Sequence, residues 1–321
     1  MILDKIFEVF PPPKFLDIPF AGISISDTVI HCIKFGKKGR ALFVEKYAKS
    51  EVNPGLIKSG QIENKDEVAQ ILKSLKKEIG LDYVKISLPE ERGYLFNAKI
   101  PVVKQNEIRS VIESKMEESV PVSPAELTFD YKVVRMNPSH LNVVVSTMPI
   151  NVVDKYVSLA EDSGLSLLSL ETESQATARA LLSKDAPETV VIINFEKEKV
   201  GLYVASGLTV HFTSTLSFKG DVSSNLDFMS QEIKKLYTYW HTLKENVDNE
   251  NRKIRQIIIC GEGFDIDITQ HFTVHNKIPT ILGNVWVNAF NINTVVPEIS
   301  FIDSLGYVTA IGLALPGDIL I

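Results

Sequence analysis

The chain has 321 residues, 45% hydrophobic and 23% charged, the make-up of a globular protein with material for more than one core. A net charge of −6 without a basic stripe argues against a nucleic-acid binder, and no run of about eighteen apolar residues offers a membrane-spanning helix. Cys32 and Cys260 both sit in apolar runs and are too few for a disulfide scaffold or a structural zinc site. They are expected to be buried thiols. With no basic start or cleavage site of a signal peptide, the expected location is the cytoplasm.

Ile2, Leu3, Ile6, Phe7 and Phe10 form an apolar stripe on a short predicted helix that Pro11-Pro12-Pro13 ends. This arm, residues 1–20, either docks on its own domain or binds a partner or a membrane surface, although Asp4, Lys5 and Glu8 make its polar face poor for anionic lipid. From Ala21 to Ser50 the spacing predicts three strands in a meander, turning at Ser26-Asp27-Thr28 and Gly36–Gly39. An amphipathic helix is predicted over 64–79, with Asn64 and Glu67 at capping-box spacing and Val68, Ile71, Leu72, Leu75 and Ile79 as its stripe.

Residues 83–147 change character. Four short strands around a helix near 105–118 read as a small α+β insertion in the first lobe, which spans 21–165. A helix follows at 151–162, closed by Gly164, then a strand at Leu165–Leu170 and an alanine-rich helix at Ser174–Leu182. The second lobe is expected over 166–321. It holds a second meander, Val190–Phe195, Val200–Ala205 and Leu208–Leu216, and a long helix near 224–244 with Leu226, Met229, Ile233, Leu236, Trp240 and Leu243 on one face. An apolar strand at Ile257–Ile259 runs into Gly261-Glu262-Gly263, and Gly306–Leu315 closes the chain as a helix. His271 and His275 are four apart, but Phe272, Thr273 and Val274 between them look strand-like, which argues against a helical metal pair.

Two such meanders half a chain apart point to two related α/β lobes with a cleft between them. Several segments carry a more specific likeness: Ala21–Ser26, Ile100-Pro101 with Glu107-Ile108, Val120-Pro121-Val122 with Phe129-Asp130-Tyr131, Glu173–Leu181, Glu232–Tyr239 and Ala310–Leu315. In this order and spacing they resemble the PilM family of type IV pilus assembly proteins. That resemblance implies an actin-like, ribonuclease H-like α/β fold with two lobes and an inserted α+β subdomain. It implies a scaffold that binds the N-terminal cytoplasmic tail of a membrane-anchored PilN-like partner, and other pilus assembly proteins, at the inner face of the cytoplasmic membrane. Val120, Pro121, Val122 and Tyr131 are the expected groove residues.

The superfamily's phosphate turns need small residues, so that backbone N–H groups reach the phosphates, and carboxylates for Mg²⁺. By the resemblance, Ser24 and Ser26 stand at the first turn, and Asn194 and Glu196 at the second, with Gly220, Gly261 and Gly263 as remnants of phosphate and adenosine contacts. A carboxylate ~4 Å from a phosphate charge costs about 4 kcal/mol at an effective dielectric near 20. Glu196 therefore either opposes phosphate or points to solvent. The expectation is a degenerate site with no catalysis and no cofactor. The alternatives are weak ATP and Mg²⁺ binding in an ATP-driven switch, or filament formation through homo-oligomerisation.

Overall fold

A computed structural model describes residues 18–38, 41–183, 188–247, 249–291 and 295–316. Residues 1–17 of the expected N-terminal arm, with its prolines, and Gly39 of the second expected turn lie outside the described residues. The first lobe opens with a meander, β1 (Phe20–Ile25), β2 (Val29–Lys38) and β3 (Ala41–Glu51). A minimal hairpin, β4 (Ile57–Lys58) and β5 (Gln61–Ile62), leads to helix α1 (Lys65–Ile79) and strand β6 (Tyr83–Leu88). Next come β7 (Tyr94–Pro101), α2 (Ile108–Ser119), β8 (Leu127–Met136) and β9 (His140–Pro149). Helix α3 (Ile150–Asp162), strand β10 (Ser166–Thr172) and helix α4 (Glu173–Leu181) complete this half.

The second half repeats the plan. A meander of β11 (Thr189–Phe195), β12 (Lys199–Ser206) and β13 (Thr209–Ser217) precedes helix α5 (Leu226–Thr242). Strand β14 (Ile254–Gly261), helix α6 (Ile268–Asn276), strand β15 (Thr280–Leu282) and helices α7 (Phe301–Gly306) and α8 (Val308–Ala314) follow. The sheets run β3-β2-β1-β6-β10 and β13-β12-β11-β14-β15. In each, an antiparallel meander joins two parallel strands reached through helical crossovers. Strand for strand the two sheets have one topology, so the duplication is structural.

The strand pairing moves two expected boundaries. β6, placed at the start of the insertion, pairs in parallel with β1 and belongs to the first sheet. β10, placed in the second lobe, pairs in parallel with β6 and belongs there too. An apolar strand carries no mark of which sheet receives it. The inserted unit is the separate sheet β7-β9-β8 with α2 across it, packed around Ile100, Ile112, Met116 and Val145.

Helix α1 forms as its caps dictate. The Asn64 side chain accepts from the Glu67 amide at 3.3 Å, and Gly80, in the left-handed region at φ 71°, returns its N–H to the Lys76 carbonyl. Val68, Leu72, Leu75 and Ile79 are buried against the first sheet, each worth about 2 kcal/mol relative to exposure. Helix α6 corrects the strand-like reading of 271–275. Ile268 and Phe272, one turn apart, bury against the second core, and this packing overrides the β-branched Thr273 and Val274.

Helices α4 and α8 cross between the sheets, each packed on the other half: α4 touches β12 and β13, and α8 touches β1, β2 and β6. Small residues make the crossing close. A Cβ on Gly312 would meet the Ala176 carbonyl, and one on Gly22 would meet that of Ala310. The Thr177 and Thr309 hydroxyls bond at 2.9 Å inside the crossing. This shared core sets the two lobes on either side of a cleft.

Candidate functional site

The turn after β1 and the turn after β11 face each other across a cleft of about 1110 Å³. All seven positions expected at a nucleotide site line it: Ser24, Ser26, Asn194, Glu196, Gly220, Gly261 and Gly263. Their roles differ. Gly261 (φ 95°) packs so tightly on the Phe195 backbone that a Cβ has no room, whereas Gly220 and Gly263 face open space. Buried Asn194 accepts from the Cys260 thiol at 3.6 Å.

Charge in the cleft is dominated by carboxylates. Lys199 Nζ lies 3.0 Å from Glu91 Oε1 across the lobes and 3.3 Å from Glu196 Oε2. Burial pushes the Glu196 carboxyl up to about 7, with Lys199 pulling it the other way. Burial likewise raises Glu173 well above the usual carboxylate range. Burial works against the Lys199 charge, but Glu196, Glu173 and Glu91 outweigh it and hold the ammonium protonated. Asp27 is committed to the β4–β5 turn, accepting from the Ser59 and Gly60 amides at 2.6 and 2.8 Å. At the other end Glu262 Oε1 reaches across to His31 Nε2 at 2.8 Å and Lys49 Nζ at 3.5 Å.

A second cavity, of about 920 Å³, lies where the insertion meets the first lobe. Its walls are α2, the segment from Pro124 into β8, and the first turn of α3. Ile150, Val153 and Leu127 supply apolar surface, and Arg109 is the one cation against Glu113, Glu117 and Asp154. The Arg109 guanidinium sits 4.2 Å from the Phe129 ring centre and donates to the Phe129 carbonyl at 3.2 Å. The expected groove residues Val120, Pro121, Val122 and Tyr131 do not line this cavity. Val120 turns into the insertion's core as α2 ends, Val122 and Tyr131 pack against that core, and Pro121 is exposed elsewhere.

The model of the family described as type IV pilus assembly protein PilM matches residues 22–245. The chain belongs to this family. A solved structure titled "PilM-PilN type IV pilus biogenesis complex" is similar at TM-score 0.77 and 16% identity, covering 93% of this chain and 98% of that one. The ethanolamine utilization protein EutJ from Carboxydothermus hydrogenoformans is similar at TM-score 0.52 and 14% identity, over 96% of this chain and 91% of that one. A sequence search of the curated proteins finds no match. The fold is the actin-like one.

That fold implies a nucleotide with Mg²⁺ between the lobes, and the donor set in this cleft does not fit one. A phosphate needs free amides and cations. Here the Ser26 hydroxyl accepts from the Thr28 and Val29 amides at 3.4 and 3.2 Å, and the Glu196 amide is spent on the Lys199 carbonyl at 2.9 Å. The nearest buried cation, Lys199, is already shared by carboxylates, and Glu91 Oε2 has no hydrogen-bond partner among the described residues. Glu262 lies against Gly306 on the wall of the same cleft and adds a further carboxylate to it. Sequence reasoning missed Glu90, whose Oε2 accepts from the Ser174 amide at the start of α4 at 3.0 Å, and missed Glu91 and His31. All three act through partners at least 84 residues away, and no local pattern marks them.

Among the described residues no helix is long and apolar enough to cross a membrane.

Proposed function

We infer that this chain is a cytoplasmic scaffold of a type IV pilus, or related, assembly machine, and that it captures the N-terminal cytoplasmic tail of a membrane-anchored PilN-like protein. The tail lies in the groove between α2, β8 and α3. The observation that carries this reading is the groove's make-up: apolar floor, three carboxylates and one arginine, beside a strand, β8, that pairs with β9 alone among the described residues. A tail that begins with an amino group and flanks a membrane span on its cytoplasmic side is basic by the positive-inside rule. An acidic groove beside a sheet edge suits an extended segment of that kind. Family membership supports the reading, as does the likeness to a structure titled as a PilM-PilN complex. Attachment to the inner face of the membrane is then indirect, through the partner.

The test uses a synthetic peptide of the first residues of the PilN-like protein from the same organism, labelled and titrated by fluorescence anisotropy. Glu113→Lys and Asp154→Lys should each weaken binding by about fivefold, the scale of a partly exposed charge pair, and the affinity should fall as salt rises. Unchanged affinity in both variants would sink the placement in this groove.

An ATP-dependent switch is the second reading, motivated by the gathering of all seven expected positions in one cleft. Under the preferred reading, calorimetric titration with ATP and Mg²⁺ gives no binding, and Glu196→Gly with Asn194→Asp gains some. Micromolar binding by the natural chain would put the switch first.

A further inference from the structure

On the outer face of the second lobe, away from cleft and groove, Asp227 in the first turn of α5 and His271 and His275 of α6 converge. One donor atom from each lies within 4.8 Å of the others. His271 Nε2 is 3.7 Å from Asp227 Oδ1, and the two imidazole rings stack at 3.9 Å between centres, 20° from parallel. We propose that these three side chains form a site for one divalent transition-metal ion, of the Zn²⁺ type, that clips α5 to α6.

The helix makes the pair: residues four apart share a face, so two imidazoles rise side by side from α6. Hydrogen bonds around the rings then select the donor atoms. His275 Nδ1 bonds the His271 carbonyl at 2.8 Å, which fixes it as the N–H and leaves Nε2 with a free lone pair. His271 Nε2 faces α5, where the buried Ser230 hydroxyl lies 3.2 Å away. Metal binding exchanges that one hydrogen bond for a coordinate bond.

The Asp227 side chain is exposed, so its carboxylate has room to reorient toward an ion held by the two imidazoles. Two imidazoles and a carboxylate are a borderline donor set. They suit Zn²⁺ with water in the fourth position, and they disfavour Mg²⁺, which demands six oxygens. Because the ligands come from two helices that pack over one core, the ion binds the folded lobe and not the unfolded chain.

The test takes the full chain without a histidine tag, stripped with chelator and titrated calorimetrically with Zn²⁺ and, separately, Mg²⁺. One Zn²⁺ per chain and no Mg²⁺ is the expected result, with an unfolding midpoint that rises with Zn²⁺ concentration. His275 is exposed, so His275→Ala should fold normally; it should lose about tenfold or more in Zn²⁺ affinity and lose the midpoint shift. Asp227→Asn should weaken binding in the same direction. No stoichiometric Zn²⁺, or Zn²⁺ binding unchanged in His275→Ala and so adventitious or seated elsewhere, would overturn the proposal.

Discussion

Replacing Glu196 by glutamine should stabilise the protein at pH 8 and leave it nearly unchanged at pH 4.5. Burial lifts the Glu196 carboxyl from 4.5 to about 7. Between those values the folded chain holds a proton that the unfolded chain does not, so stability falls as pH rises through the window. The gap corresponds to about 3 kcal/mol for a fully desolvated group. With 17% of the side chain still exposed, about 2 kcal/mol is the expected contribution. Glutamine keeps an oxygen for Lys199, and Lys199 keeps Glu91, so no cation is stranded. Urea unfolding of both proteins at pH 4.5, 6 and 8 gives the difference directly, and titrating groups remote from the Glu196 cluster cancel in it. The variant should gain about 2 kcal/mol at pH 8, with the gain shrinking toward pH 4.5. A variant equal to or weaker than the natural chain at pH 8 would refute the claim that this carboxylate is buried at an electrostatic cost.

Burial pushes the His211 imidazole, bonded to Asn97 Oδ1 at 3.0 Å, down to about 3. The unfolded chain then binds the extra proton, so this residue removes about 2 kcal/mol of stability by pH 5, and His211→Asn should abolish that loss in the same unfolding series. Gly312→Ala drives a Cβ into the Ala176 carbonyl at the α4–α8 crossing. It should cost about 2–3 kcal/mol by thermal or urea unfolding, whereas an alanine at the open Gly263 should cost only the strain of its positive φ. The tail-peptide and ATP titrations described above supply the two functional predictions.

Much of this was legible in the sequence, and the limits have physical causes. The Asn64–Glu67 box and the stripe from Val68 to Ile79 are local signals, and the helix they mark is found with its cap formed. The two meanders are local hairpin patterns, and aligning them brought seven separate positions into one cleft. Sheet membership is not local: β6 and β10 read correctly as strands but were assigned to the wrong units, because pairing is decided by tertiary packing. The α6 histidines were misread because Thr273 and Val274 favour strands, while the burial of Phe272 that decides the matter depends on the second sheet. The four residues expected to line a groove do not line the cavity beside the insertion. Val120, Val122 and Tyr131 are apolar for the sake of the insertion's own core, and the acidic wall from Glu113, Glu117 and Asp154 looks like ordinary solvated helix face.

The central claim is that a partner's tail occupies the groove between α2, β8 and α3 while the inter-lobe cleft stays uninvolved. Hydrogen–deuterium exchange of the full chain, with and without the PilN-like peptide, tests it most directly. The account predicts slowed exchange confined to residues 108–119, 124–136 and 150–154. Protection at 24–29 and 194–199 instead, with the groove segments unchanged, would contradict it.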